Sequence, residues 1–525
     1  MPQNRTSRPR SGASHGGSHT GRPPRTRSAS HSPAPVSARK RPGSSRAASA
    51  GSSRPTTVKV RRTPPSAPVR RTAEDGAEPR AIALPGGHEL LLTRRTFLYG
   101  AAGAAALAAL GGGAAFAAAH TDDKKSLETL TVPEANVVLD SSLEQIENAE
   151  DALTLATSVK MPFGTLLWCS DDNVAACLLP TETAKPLAQV GLLDLTSGEC
   201  TTAIEHAVGE DEGFEIYDVR ANGHGAIWTE ADIMDGLWRV YGAAASDGAL
   251  GEAQLLDEGD VDWEMPSLAV AGGYGYWQRL PQLDGNARVE DSLLKRAPFG
   301  SSTAEVVYAS EGRMACAPIS CGDALVVTPR ARTSGTYYQL TRIDGATGAV
   351  TDACVLPSSM KPLEAGWGRT GFNFAFDGIY NYGDGISNLG TYMPLEPLES
   401  PRLAGTEGAE GPGTDDPHLP VTLANIATPA YSADQWFHYV ANPLSAPCWC
   451  GNWVLVRGGS AVCAVDLTGR RYAKLPLEEG SGDYNDFLAS THIGQRAVTY
   501  CNVDYTPING EPQKHCLVRI WEPAS

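Results

Sequence analysis

The sequence predicts an all-β body made of about seven small repeated antiparallel sheets, behind a disordered basic tail and one apolar helix. Three observations point there. After residue 120 the apolar runs are short, rich in β-branched and aromatic side chains, and stop at Gly, Asn, Asp or Pro. A strand–turn–strand unit recurs along that region. Charge and cysteine divide sharply near the same boundary.

Residues 1–90 come first. They are Ser, Arg, Pro, Gly, Ala and Thr with almost no aromatics. Such a segment buries too little apolar area to offset chain entropy, so disorder is expected. Leu84 to Leu92 reads as nascent structure. Residues 1–95 hold 19 Lys+Arg and 4 Asp+Glu, a net of +15; subtracting from the totals of 43 and 60 leaves 24 and 56, a net of -32. The tail reads either as an inert leader or as a segment drawn to anionic lipid at an inner membrane face. The acidic body disfavours nucleic acid, whose phosphates need Lys and Arg.

Residues 91–119 follow. Thr93-Arg94-Arg95-Thr96-Phe97-Leu98 resembles the twin-arginine export motif, Ser/Thr-Arg-Arg-x-Phe-Leu-Lys, with Tyr99 at the last position. Residues 98–119 carry no charge, long enough for a membrane-crossing helix. Gly111 to Gly113 weaken that helix, each by up to about 1 kcal/mol relative to Ala. Ala117 and Ala119 offer a small-residue cleavage site. An uncleaved anchor over residues 98–119 is the rival reading, and both leave the Arg-rich side cytoplasmic. The resemblance implies the twin-arginine export machinery as a partner. It also implies a body at the cell membrane, extracytoplasmic or secreted.

Residues 120–129 are a polar linker, and 130–525 form the body. Ser141 to Ala156 has helical spacing and is the best helix candidate. Elsewhere a strand ends in Asp, a turn carries Thr and Gly, and another strand follows: Asp194 to Gly198, Asp344 to Gly348, and Asp466 to Gly469. The carboxylate can accept backbone N–H groups, and the Gly supplies positive φ. The clearest full unit, Met314 to Leu356, reads as four strands, the size of a propeller blade. Second strands are expected near Leu166, Ala226, Tyr276, Ala324, Asn373, Trp453 and Ala497. Residues 396–433 contain a Gly-, Pro- and acid-rich disordered insertion, Glu399 to Pro420. The last unit lacks a fourth strand, which Thr129 to Leu139 would supply from the other end, closing a ring without free edges.

The repeat resembles the broad WD40, YVTN and quinoprotein-like β-propeller group over about 390 residues. It lacks their docking signatures, so no family's function carries over. A two-sheet sandwich, or two tandem β domains, fits the same strand pattern.

All eleven Cys follow Ala119, as expected of a folded part in an oxidising compartment. Cys169 with Cys177, and Cys501 with Cys516, flank hairpin turns and are disulfide candidates. Cys448 and Cys450 share one strand face.

There is no G-x-S-x-G, H-E-x-x-H, P-loop or G-x-G-x-x-G between strand and helix. No catalytic residue or cofactor is predicted. Asp260, Asp262 and Glu264 alternate in a loop and are candidate Ca²⁺ ligands, with a solvated acidic loop as the plainer reading. Asp377 with Asp384, and Asp483 with Asp486, are weaker versions. Aromatics gather in the middle units: Trp263, Tyr274, Tyr276, Trp277, Trp367, Phe372, Phe374, Phe376, Tyr380 and Tyr382. They suit either core packing or a mouth that grips sugars or peptides. Three functions stay open: a ligand- or protein-binding module at the cell envelope, a lyase or glycosidase with paired carboxylates, and a scaffold subunit of a membrane complex.

Overall fold

The structure is a computed structural model. It describes residues 81–84, 88–91 and 129–524, apart from 377–389, 397–434 and short gaps at 184, 247, 284–285, 287, 311, 333–335, 358–359, 441–445, 482–485 and 509. The chain forms two units, Met1–Leu91 and Leu92–Ser525. In the first, Ala81–Leu84 pairs antiparallel with His88–Leu91. This hairpin lies inside the expected disordered tail. Two apolar runs flank Pro85-Gly86-Gly87, residue types that favour reversal.

Strand accounts for 57% and helix for 4% of the structure, so the all-β class holds. The sheets of the second unit adopt a β-propeller arrangement in which six blades are distinguished. Backbone pairing resolves seven sheets of four or more strands. Sheet 1 is Leu166–Cys169, Val174–Pro180, Ala188–Asp194 and Cys200–Ile204. Sheet 2 is Glu215–Asn222, Gly225–Asp232, Leu237–Ser246 and Gln254–Gly259. Sheet 3 is Ser267–Ala271, Tyr274–Arg279, Ser292–Pro298 and Glu305–Ser310. Sheet 4 is Ile319–Ser320, Ala324–Val327, Thr336–Asp344 and Val350–Val355. Sheet 5 is Pro362–Gly368, Gly371–Phe376, Thr391–Pro394 and Trp436–Tyr439. Sheet 6 is Cys448–Cys450, Trp453–Arg457, Val462–Asp466 and Arg471–Lys474. Sheet 7 takes Phe487–Leu488, Ala497–Tyr505 and Gln513–Pro523 from one end of the chain and Leu153–Met161 from the other.

Six of the seven expected second strands are second strands; Leu166 instead opens the first strand of sheet 1. The Asp turns behave as their chemistry dictates. Asp194 Oδ1 accepts from the Thr196 and Ser197 amides at 2.9 and 2.7 Å, with Gly198 at φ 73°. Asp344 Oδ1 accepts from Ala346 and Thr347 at 3.2 and 2.8 Å, with Gly348 at φ 76°. In the third turn the positive φ, 53°, falls on Arg470 rather than Gly469.

Two sequence expectations are corrected. The closing strand is Leu153–Met161, which pairs antiparallel with Gln513–Pro523. Thr129 to Leu139 does something else. Leu130 donates its amide to Val355 O at 2.7 Å on the outer strand of sheet 4. Val137–Leu139 then runs parallel to the outer strand of sheet 5, and Glu144–Ile146 parallel to that of sheet 6. The segment is a strap over three outer edges that ends as the fourth strand of sheet 7. The second correction follows from it. Ser141 to Ala156 is not a helix but strand pieces joined by single 3₁₀ turns. Its spacing lets it coil, but open sheet edges offer ladder hydrogen bonds to Glu144–Ile146 and from Leu153 onward, and tertiary pairing overrides local propensity.

Core clusters lie between neighbouring sheets. Val326 and Leu340 of sheet 4 meet Phe372, Phe374, Tyr392 and Trp436 of sheet 5, with Leu130 and Val132 of the strap buried among them. Each such side chain contributes ~1.5–3 kcal/mol by burial. At the centre, the chain from Ser490 to Gly494 pairs in parallel with first strands of sheets 1 and 6. Thr491 Oγ1 donates to Ser320 O of sheet 4 at 2.5 Å, which narrows the centre at this level.

Among the described residues no helix is long and apolar enough to cross a membrane. Arg94, Arg95, Phe97, Leu98, Ala117 and Ala119 lie outside the described residues, as does the insertion from Glu399 to Pro420.

Candidate functional site

Antiparallel sheets in series alternate their connections between two faces. Turns joining first to second and third to fourth strands share one face. Turns joining second to third strands, and links between sheets, share the other. This places the two polar concentrations of the body on opposite faces.

The first face carries a clasp between sheets 1 and 7. Asp171 and Asp172 occupy the first turn of sheet 1. Asp171 Oδ2 accepts from the Gly223 amide of sheet 2 at 2.8 Å. Asp172 turns the other way, accepting from His492 Nε2 at 3.0 Å and from the Gln495 and Arg496 amides at 2.9 and 2.8 Å. The Arg496 guanidinium donates to Glu522 Oε1, Thr196 Oγ1 and Asp172 O. An open cleft of about 440 Å³ is lined by Asp172, Gln495, Arg496, Glu522 and Pro523.

Burial opposes charge on both members of the central pair, but their interactions win. Burial would lower His492, yet neighbouring Cys169 and Asp172 push it up to about 10. Burial would raise Asp172, yet His492 and two backbone amides bring it down to about 2. The cleft thus has an Asp, Arg and Glu lining. Asp172, however, is filled by donors and stays ionised, which removes it as a proton donor.

The sign of the pH effect follows. His492 is raised from 6.5, so its contribution is complete below that pH and is lost as pH rises through about 10. Asp172 is lowered from 3.8, so its contribution is complete above that pH and is lost as pH falls through about 2. The stability difference between wild type and Asp172→Asn, read from urea midpoints, is therefore expected to be largest between these ordinary values, 3.8 and 6.5, and to shrink as pH rises from 6.5 through about 10. A difference that does not change with pH would contradict the clasp.

The second face carries the acidic loop singled out in the sequence. Its carboxylates diverge. Asp257 is gripped by Trp277 Nε1 and Lys295 Nζ, each at 2.8 Å. Asp260 Oδ1 accepts from the Asp262 amide at 3.1 Å, and Asp262 Oδ1 from the Asn286 amide at 3.0 Å. Glu264 pairs with Arg313 at 2.6 Å. These bonds hold loops together. Among the described residues no three His, Cys, Asp or Glu side chains are grouped to hold a metal ion.

Hydrogen bonds tie the 257–265 loop to the 280–291 loop, and packing joins it to the 232–237 loop. Gln282 N donates to Asp262 O and Glu264 N to Leu280 O, each at 2.9 Å. Gly236, at φ 68°, packs so close to Val261 that a Cβ would lie 2.3 Å from its Cγ1. Across these loops Met234 is 92% exposed, Val289 74%, Leu283 67%, Val261 64% and Ile233 58%, with Met265 beside them. Large apolar side chains gathered on tied loops mark an interaction surface. Sequence reading found the acids and missed these residues, because an isolated Ile-Met in a turn gives no periodic signal.

The middle aromatics resolve toward packing. Trp263, Tyr276, Trp277, Phe372, Phe374 and Phe376 are buried in core clusters. Tyr274 and Trp367 are half-buried, and Tyr380 and Tyr382 lie outside the described residues, with Asp377, Asp384 and Asp483. Asp486 pairs internally with Arg519.

The disulfide candidates are out of register. Cys169 faces Ala175 while Cys177 faces Leu167. Cys501 faces Leu517 while Cys516 faces Asn502, a one-residue offset that sends the sulfurs to opposite sheet faces. Nine of the eleven cysteines are buried, as small apolar core residues, and neither candidate pair forms a disulfide. Cys448 and Cys450 do share one cluster.

No family model and no curated relative matches the sequence. Similar solved structures include a prolyl endopeptidase at 11% identity and TM-score 0.40, covering 84% of this chain and 56% of that one. An oligogalacturonate lyase in complex with manganese shares 10% identity at TM-score 0.35, covering 69% and 90%. A puromycin hydrolase shares 13% identity at TM-score 0.35, covering 74% and 57%. The chain thus spans little more than half of the prolyl endopeptidase. Likeness of this degree assigns neither activity nor ligand.

Proposed function

We propose that this chain is an exported or membrane-tethered β-propeller that works as a binding module at the cell envelope. Its seven sheets form one ring closed by Leu153–Met161, and its partner docks on the loop face of sheets 2 and 3. The observation that carries this reading is the asymmetry between the faces. One face uses its polar groups to clasp sheets together, and the other leaves several large apolar side chains exposed on loops held by internal bonds. The compartment rests on the Arg94-Arg95 motif and the apolar run behind it.

A photo-reactive amino acid at position 234, introduced in intact cells, is expected to give a discrete crosslinked species. The same group at position 196, on the clasp face, is expected to give none. Equal yields at both positions, or none at either, would contradict the module. For the compartment, Arg94→Lys with Arg95→Lys is expected to leave the protein in the cytoplasm; export equal to wild type would contradict the address.

A further inference from the structure

We infer that the loop face of sheets 2 and 3 takes a basic, apolar-rich peptide segment of a partner protein. This rests on the binding-module reading and names the class of partner. Met234, Val261, Leu283 and Val289 supply an exposed apolar surface drawn from three loops. Among the described residues of 232–237, 257–265 and 280–291, Arg288 is the one basic residue, while Asp257 and Glu264 are already paired with Lys295 and Arg313 outside these loops. Asp235, Glu258, Asp260 and Asp291 are exposed. An apolar centre within an acidic rim selects apolar side chains flanked by Lys or Arg, and suppresses acidic partners.

The same charge argues against a second copy of this chain. A two-fold contact would set one acidic rim against another, and like charges face to face are unfavourable. The loops are also ready-made for docking. Internal bonds from Asp260 and Asp262 hold the 257–265 and 280–291 loops, and Glu264 is held by Arg313, so little ordering of these loops is needed on binding.

The test is panning of a random-peptide display library against the full-length chain, followed by binding of the enriched peptides to two double variants. Met234→Ser with Val261→Ser removes exposed apolar surface without opening the core. Asp235→Asn with Asp260→Asn removes charge and keeps each acceptor oxygen. Enriched peptides are expected to combine Leu, Phe or Met with Lys or Arg. Their binding is expected to weaken by roughly tenfold or more in each variant and to fall with salt. Acidic or uncharged peptides enriched through the same residues would overturn the partner class and leave the module standing. Enrichment that ignores both variants, or no enrichment, would overturn the surface itself.

Discussion

Val132→Asp is expected to destabilise the body by roughly 3–5 kcal/mol, because it leaves an uncompensated charge in the core. A domain's whole stability is only about 5–15 kcal/mol. Val132 sits in the strap, far in sequence from what it packs against, and is fully buried between sheets 4 and 5 with Leu130. Leu130→Ala is expected to lose ~2–5 kcal/mol for the same burial. Leu139, 46% exposed in the same strap, is the control, and Leu139→Ala should stay within about 0.5 kcal/mol. Urea midpoints measure all three. A Val132→Asp midpoint equal to that of Leu139→Ala would mean the strap does not dock there.

The second large effect belongs to the ion pair buried in sheet 7. Arg519 and Asp486 are 5% and 0% exposed, and Arg519 Nη1 also donates to Pro476 O at 2.6 Å. Asp486→Ala strands a guanidinium that cannot neutralise, and roughly 3–5 kcal/mol should be lost at neutral pH. Arg519→Met should behave differently. Burial already pushes the Asp486 carboxyl up, and with its partner gone it can take a proton. A carboxyl whose folded pKa is raised holds protons that the unfolded chain releases, so the Arg519→Met protein regains stability as pH falls toward that of ordinary carboxylates. Urea midpoints at neutral and mildly acidic pH separate the two variants. Parallel pH dependence in both would contradict a pair desolvated in this way.

Both predictions turn on long-range placement, and there the sequence was least informative. The repeating unit was legible because its turn chemistry is local. Asp194 and Asp344 bond amides two and three residues ahead, and Gly198 and Gly348 carry the positive φ. Six second strands could be placed because short apolar runs bounded by turn residues declare themselves within a few residues. Which strand closes the ring is a different matter. Val137–Leu139 and Leu153–Met161 are both plausible strands, and only sheet edges hundreds of residues away decide between them.

The site followed the same rule. Asp260, Asp262 and Glu264 are visible in sequence as a cluster, yet their partners Asn286 and Arg313 are not. The apolar residues they expose carry no periodicity at all. His492 looked like one scattered histidine. Its role comes from Asp172, 320 residues away in the chain.

The ring closure itself is open to one direct measurement. Thr154 and Glu522 are register partners on the two strands that join the chain's ends, and Thr154 Oγ1 lies 3.4 Å from Glu522 O. Opposed residues of an antiparallel pair have Cα atoms about 4.5–5.5 Å apart, within disulfide reach. In the Thr154→Cys, Glu522→Cys protein, mild oxidation followed by non-reducing electrophoresis and peptide mapping reads whether the two new cysteines join. A closed ring predicts a faster-migrating monomer carrying the 154–522 crosslink. A folded monomer in which that crosslink never forms would contradict closure by Leu153–Met161.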